Sequence, residues 1–334
     1  MLEQPQIDHL NFSRLLEARF SIPHPVITFL PLGNSAFSWV YRVESANGKA
    51  YFAKLFNKAP PECCWKIPYA LNLLGVASVV SPLMSDTNQV IVSFNNFTLL
   101  VYPFIDGASA RTIAMTPSQR ELFGKTLRDI HIAALPQETL APVPRELFNC
   151  PFTETVTNVD SQICSQAASS SFFRELSALW KAHRKEIVTL MEAYTALGLA
   201  ASKLKSPFVL CHSDIHTDNI LLDSTGLLHI IDWDSPICAP KERDLMFVST
   251  ETSTDPFFRG YGPVPVDPLI MAYYRVDWVV QELADYGSRI LDDSTSVITR
   301  EQSQKEIEEL FFPGKVVEQA FEAIRIAREQ SAMI

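Results

Sequence analysis

The sequence predicts an α+β protein in two lobes, a small antiparallel-sheet lobe followed by a larger, mainly helical one. Three observations carry this. The first hundred residues read as strands with one helix among them. Helical periodicity dominates from Thr116 onward. One strand-rich island, residues 207–232, interrupts the helices and holds the densest group of reactive side chains, "CHSDIHTDN" at Cys211–Asn219.

The N-terminal elements follow in order. "VITFLPL" (Val26–Leu32) is apolar and partly β-branched, which suits a pleated surface. "FSWVYRVES" (Phe37–Ser45) alternates and "AYFAKLF" (Ala50–Phe56) returns. Between them "ANGK" (Ala46–Lys49) supplies the Asn-Gly pair that tight hairpins favour, because its backbone tolerates positive φ. "PPECCWKIPYALNLLG" opens on proline and closes on Gly75, the usual asymmetry of helix ends, although Pro68 should disturb its middle. "QVIVSF" and "FTLLVYPF" flank an Asn95-Asn96 turn. The predicted order over residues 1–106 is β-β-β-α-β-β.

The second lobe, 107–334, starts after Asp106-Gly107. "TPSQRELFGKTLRDIHIAAL" (Thr116–Leu135) has a Thr cap, a proline next to it and a Ser-x-x-Glu box. Its Leu122, Phe123, Leu127 and Ile130 repeat at helical spacing. Residues 136–170, rich in Pro, Ser and Thr, predict a long loop. "SFFRELSALWKAHRKEIVTLMEAYTALG" predicts one long helix, and helices return from 267 to the end.

Composition bounds the function. The chain has 334 residues, 47% hydrophobic and 20% charged, which is globular rather than disordered. A net charge of −10 argues against a nucleic-acid partner. Residues 1–106 carry 7 basic and 7 acidic residues, so the excess negative charge lies in the second lobe. An acidic cleft there would concentrate a small cationic substrate. The N-terminus lacks a secretory signal and no apolar run is long enough to span a bilayer, so a cytoplasmic protein without a membrane partner is expected. Six cysteines with no C-x-x-C spacing read as reduced and mostly apolar filler.

The island reads as strand, loop, strand, turn, strand. A hairpin brings its ends together, so Asn219 and Asp232 are expected to meet at its mouth, with Asp214 on the loop beside them. Oxygen ligands of this kind suit a hard cation such as Mg²⁺. The H-x-D-x-x-x-x-N spacing of His212, Asp214 and Asn219 matches the protein-kinase catalytic loop, without an arginine before the aspartate. Asp232-Trp233-Asp234 stands where a kinase has D-F-G. A zinc reading of His212, Asp214 and His216 lacks further ligands in the sequence.

A kinase-like lobe also needs a lysine on the third strand and a glutamate on the next helix. Lys54 and Glu62 occupy those places. The phosphate turn has only Gly33, followed by Asn34 and Ser35, in place of a glycine-rich loop. "LVYPFIDG" falls at the lobe junction, where the backbone of Val101, Tyr102 and Phe104 would meet an adenine.

Together the Lys54 strand, "HSDIHTDN" and "IIDWDSPICAPKERDLMF" (Ile230–Phe247) resemble the aminoglycoside phosphotransferase and choline kinase superfamily. "VLCHSDIH", "APKERDLMF", "GYG", "YYR" and "YPFI" are most similar to its spectinomycin phosphotransferase branch. The resemblance implies a two-lobed protein-kinase-like fold and ATP-dependent, Mg²⁺-assisted phosphoryl transfer to an alcohol. Asp214 would be the base, and Asn219 and Asp232 would hold Mg²⁺. Lys54 would bind the nucleotide phosphates, with Glu62 orienting it. Asp244 would brace the catalytic loop, while Asp234 would ligate metal or face substrate. The departure at the phosphate turn leaves ATP against GTP open.

An acceptor of aminocyclitol type is expected against the helical part. There Asp277, Gln281 and Asp285 follow at four-residue spacing, Glu282 lies close by, and His216 is a further contact. A metabolic kinase for choline, a sugar or an amino alcohol is the alternative, and a nucleotide-binding pseudokinase a third. The complete set of Lys54, Asp214, Asn219 and Asp232 opposes the last.

Overall fold

The computed structural model describes residues 3–33, 38–165, 170–248 and 255–331. In chain order its elements are α1 (His9–Phe20), β1 (Val26–Leu30), β2 (Ser38–Glu44), β3 (Ala50–Phe56), α2 (Cys63–Leu73), β4 (Val92–Phe94), β5 (Phe97–Pro103), β6 (Gly107–Ser109) and α3 (Pro117–His131). Then come α4 (Gln137–Leu140), α5 (Thr153–Ser165), α6 (Ser171–Ala182), α7 (Arg184–Ala201), β7 (Val209–Cys211), β8 (Ile220–Asp223), β9 (Leu228–Ile230) and β10 (Ile237–Ala239). Helices α8 (Glu242–Leu245), α9 (Pro256–Tyr261), α10 (Pro268–Leu291), α11 (Val297–Glu309) and α12 (Val316–Ser331) complete the chain.

The chain forms two compact units. Unit one is Met1–Arg145 with Phe208–Val264, and unit two is Glu146–Pro207 with Pro265–Ile334. Among the described residues no helix is long and apolar enough to cross a membrane.

Unit one contains an antiparallel sheet ordered β1-β2-β3-β5-β4. The Asn-Gly turn closes β2 onto β3, with Gly48 at φ +81°. Strand alternation splits β3 between two faces. Ala53 and Leu55 bury with Tyr41, Leu99 and Val101 against Phe12 and Leu16 of α1. Lys54, opposite Val40 and Leu100 in the register, points to the other face. Helix α1 was not read from the sequence. Its Asp8 cap accepts from the Leu10 and Asn11 amides, and only Phe12 and Leu16 are fully buried, so its apolar stripe is short. Helix α2 runs through Pro68, losing the bond to the Cys64 carbonyl rather than ending.

The residues after α2 lead back to the island. Ser78 accepts from the Ile230 amide at 2.7 Å and Val80 donates to the Ile230 carbonyl at 3.0 Å. Strand β6 adds to the hairpin as β6-β8-β9, and β10 pairs with β7. Helices α3 and α9 pack backbone to backbone. A Cβ on Gly124 would lie 2.0 Å from the Phe257 carbonyl oxygen, and one on Gly260 1.9 Å from that of Glu121.

Unit two is helical, and two expectations for residues 136–198 fail. Residues 136–170 are not one loop. Helix α5 forms among Ser, Thr and Asn because Val156, Val159 and Ile163 recur at helical spacing and are buried. The single helix expected over 171–198 breaks at His183, whose φ −104° and ψ 10° leave the helical region. The His183 ring stacks on Phe311 with centroids 4.1 Å apart.

Candidate active site

The polar cluster is built by three short connections. Strand β7 delivers Cys211, and the chain then turns sharply at Ser213, φ 72°. That left-handed backbone is uncommon for serine and persists here because it is fixed at both ends. The Ser213 amide donates to Asp244 Oδ1 at 2.7 Å, and its hydroxyl donates to the Ser235 carbonyl. Beyond the loop, a 3-10 turn at Thr217–Asn219 leads into β8. The Ile231 amide donates to the Asn219 carbonyl at 3.0 Å, so the hairpin mouth holds Asn219 and the residue before Asp232 side by side. Asp232 also takes a left-handed backbone, φ 62°.

His212 is fully buried and joins the loop after β7 to the chain leaving β9. Its Nδ1 accepts from the Asp214 amide at 3.3 Å and its Nε2 lies 2.9 Å from the Ile231 carbonyl. An amide only donates and a carbonyl only accepts, so the proton is on Nε2. With both nitrogens committed, His212 cannot ligate zinc. Among the described residues the metal-like group is a different one, His131, Cys211 and Asp244. It is already satisfied internally. Asp244 accepts from the His212 and Ser213 amides, and His131 Nε2 lies 3.0 Å from Asp244 Oδ2. Burial raises the Cys211 thiol, and the Asp244 charge raises it further. Desolvation works against the Asp244 charge, but the His131 bond and charge hold its carboxyl below the usual range.

His131 and Tyr261 complete this brace, with His131 Nδ1 2.7 Å from the Tyr261 hydroxyl. Sequence reasoning missed both. The available signal was a histidine adjoining the buried Leu127 and Ile130 of α3.

Asp214 lies beside Asn219 and His216. Asn219 Nδ2 donates to the Asp214 carbonyl at 2.8 Å and to Asp214 Oδ2 at 3.2 Å, which leaves the Asn219 amide oxygen as the group to offer a cation. His216 Nε2 is 3.5 Å from Asp214 Oδ1. Desolvation opposes the Asp214 charge, yet the His216 bond and charge outweigh it and the carboxyl stays below its ordinary value. Desolvation likewise opposes His216 protonation, and Asp214 outweighs it, so the imidazole is raised.

Lys54 is 8% exposed and sits between two carboxylates. Its Nζ donates to Asp232 Oδ1 at 2.9 Å and Asp234 Oδ2 at 2.7 Å. Desolvation disfavours the ammonium, but Asp232 and then Asp234 overcome this and raise it. Asp232 is held low despite desolvation, chiefly by Lys54. Asp234 moves the other way, raised by desolvation and then by the Asp232 charge. Asn219 and Asp232 thus present hard oxygen donors, and the Lys54 ammonium already marks this point as one that accepts positive charge. The donor set fits Mg²⁺.

Some expected partners are not brought together. Glu62 stands at the start of α2 without a side-chain cap bond, and its side chain, 60% exposed, pairs with Lys66 one turn along. Its i,i+4 neighbour is within reach and Lys54 is not its partner. At the end of β5, the Val101 carbonyl accepts from the Leu83 amide at 2.7 Å and the Phe104 amide donates to the Ala50 carbonyl at 3.1 Å. Those two groups are therefore occupied, and Pro103 between them has no N–H. The Tyr102 ring packs edge-on to Phe52, and desolvation raises its hydroxyl. Gly33 has φ +84° and open space where a Cβ would stand, while Asn34 and Ser35 lie outside the described residues.

Helix α10 does not display one open carboxylate stripe. Asp277 is buried and receives the Tyr194 hydroxyl. Gln281 and Glu282 are partly buried, and Asp285 is exposed and bonded to Arg289.

A model of the Phosphotransferase enzyme family matches residues 28–283. Spectinomycin phosphotransferase APH(9)-Ia, in a structure with ADP and spectinomycin, superposes with a TM-score of 0.87 at 28% identity, covering 96% of this chain and 99% of that one. Protein StrN of Streptomyces griseus is 24% identical over 308 residues, 88% of this chain and 91% of its own. A Plasmodium vivax ethanolamine kinase, 14% identical with a TM-score of 0.59, shares the fold. The chain belongs to the phosphotransferase enzyme family, with the α+β, protein-kinase-like fold of these neighbours.

Proposed function

We propose that this phosphotransferase transfers the γ-phosphoryl group of ATP to a hydroxyl of an aminocyclitol or aminoglycoside-type antibiotic, with spectinomycin as the acceptor. The observation that carries the reading is the near end-to-end similarity to spectinomycin phosphotransferase, at 28% identity and a TM-score of 0.87.

Residues 1–106 are assigned to the nucleotide and 107–334 to catalysis and the acceptor. Lys54 binds the nucleotide phosphates. The Gly33 turn, Asn34 and Ser35 are assigned to the phosphates, and the backbone of Val101, Tyr102 and Phe104 to the adenine. Asn219 and Asp232 hold Mg²⁺, which when bound neutralises charge on the nucleotide phosphates. Asp214 orients the acceptor hydroxyl and takes its proton. Its lowered carboxyl keeps it ionised, and therefore able to accept, at neutral pH. Asn219 binds both the Asp214 carbonyl and its carboxylate, so catalysis is mostly positioning. His216, Gln281 and Glu282 are assigned to the cationic acceptor. Asp277 and Asp285, held by Tyr194 and Arg289, shape α10 rather than meet it directly.

The test is product identification by mass spectrometry after incubation with MgATP and, separately, spectinomycin, kanamycin, choline and ethanolamine. Phosphorylated spectinomycin is expected. Phosphocholine or phosphoethanolamine alone would overturn the acceptor and favour a metabolic kinase.

A further inference from the structure

A phosphate-binding lysine needs a fixed acidic neighbour, because a long side chain left alone does not hold its ammonium at one point. Helix α2 does not supply one in this structure. Its sequence "CCWKIPYALNL" contains no acid, and Glu62 at its start is bonded to Lys66. Lys54 is nevertheless held, by Asp232 at 2.9 Å and by Asp234 at 2.7 Å.

These two carboxylates are not equivalent. Asp232 is assigned to the cation, so its charge is shared during turnover. Asp234 has a separate anchor. Its backbone carbonyl accepts from the Cys64 thiol of α2 at 3.1 Å, and the next carbonyl, Ser235, accepts from Ser213 in the catalytic loop. The Asp234 segment is therefore pinned to α2 on one side and to the loop on the other. Helix α2 contributes the thiol where a kinase-like helix would contribute a carboxylate.

We propose that Asp234 is the positioning residue for Lys54, supplying from the segment after Asp232 the fixed negative charge that α2 lacks. It acts through Lys54 and not on the acceptor. The proposal rests on the phosphotransferase reading for its consequence in turnover.

A double-mutant cycle over Lys54→Met and Asp234→Asn tests it, read by calorimetric affinity for MgADP and by kcat/KM for ATP. Asp234→Asn alone is expected to weaken MgADP binding and lower kcat/KM for ATP, each about tenfold, with the acceptor KM unchanged. In the Lys54→Met background it should change MgADP affinity by less than about twofold, because the residue it acts through is gone. Asp234→Glu should restore part of the loss. An equal loss in both backgrounds would overturn the proposal and assign Asp234 to the metal. A loss confined to the acceptor KM, or no loss at all, would also overturn it. If the wild-type protein phosphorylates no acceptor, the substrate reading fails separately, and the MgADP cycle still decides the role of Asp234.

Discussion

The segment from Cys211 to Asp234 and helix α10 both carry acids and amides at suggestive spacings, and they use them differently. In the Cys211–Asp234 segment, backbone groups fix the side chains. The His212 and Ser213 amides bind Asp244, the Asp214 amide binds His212, and Asn219 binds the Asp214 carbonyl. On α10 the acids are engaged by other side chains, Asp277 by Tyr194, Asp285 by Arg289 and Glu282 by Tyr286 one turn along. A loop closed by a hairpin makes sequence neighbours into spatial partners. A helix fixes only the direction in which a residue leaves the axis, and distant elements decide what it meets.

If the catalytic segment works by such positioning, the largest effect belongs to Asp214→Asn. Turnover should fall about 10³-fold or more, the range expected for loss of a general base, with MgADP affinity nearly unchanged. Steady-state kinetics within tenfold of wild type would break the assignment.

Next comes the brace beneath the loop. Asp244→Ala leaves two buried amides and His131 without their acceptor, and should cost about 3 kcal/mol or more in urea unfolding at pH 7. The pH dependence has a definite sign. The folded carboxyl lies below its ordinary value of 3.8, so its contribution is complete above that pH. It is lost as pH falls through the lower, folded value. The gap between wild type and variant should therefore shrink only in strong acid, and a gap that closes near neutrality would refute the sign.

A smaller effect sharpens the contrast from the α10 side. Glu282→Gln should raise the spectinomycin KM about fivefold and leave kcat alone, as loss of a ground-state contact does. An unchanged KM would remove Glu282 from the acceptor site.

The smallest effect is expected for Glu62→Gln. Its exposed pair with Lys66 should be worth less than about 0.5 kcal/mol, and turnover should stay within about twofold. A large loss of turnover would mean that Glu62 serves Lys54 once nucleotide is bound.

The same contrast explains what was legible in the sequence. The five-stranded sheet was readable from alternation and the Asn-Gly turn, because local chemistry dictates a hairpin. Asp214, Asn219 and Asp232 were readable as a group because one hairpin joins them. Helix α5 was hidden because its three buried apolar residues are diluted by Ser, Thr and Asn. The break at His183 sets its ring against Phe311, a partner far along the chain that local periodicity does not reveal. The Lys54 partner was misplaced for a similar reason. Glu62 stands at the expected point in the sequence, but at the helix start it points along its own helix, and the carboxylates come from 178 and 180 residues away.

In the proposed reaction the Lys54, Asp214, Asn219 and Asp232 constellation transfers a phosphoryl group to an aminocyclitol. The most direct measurement is ADP release by purified protein with MgATP, with and without spectinomycin, in wild type and Asp214→Asn. Spectinomycin-dependent release in the wild type that vanishes in the variant is the predicted result. Release that ignores spectinomycin, or that survives in Asp214→Asn, would contradict it.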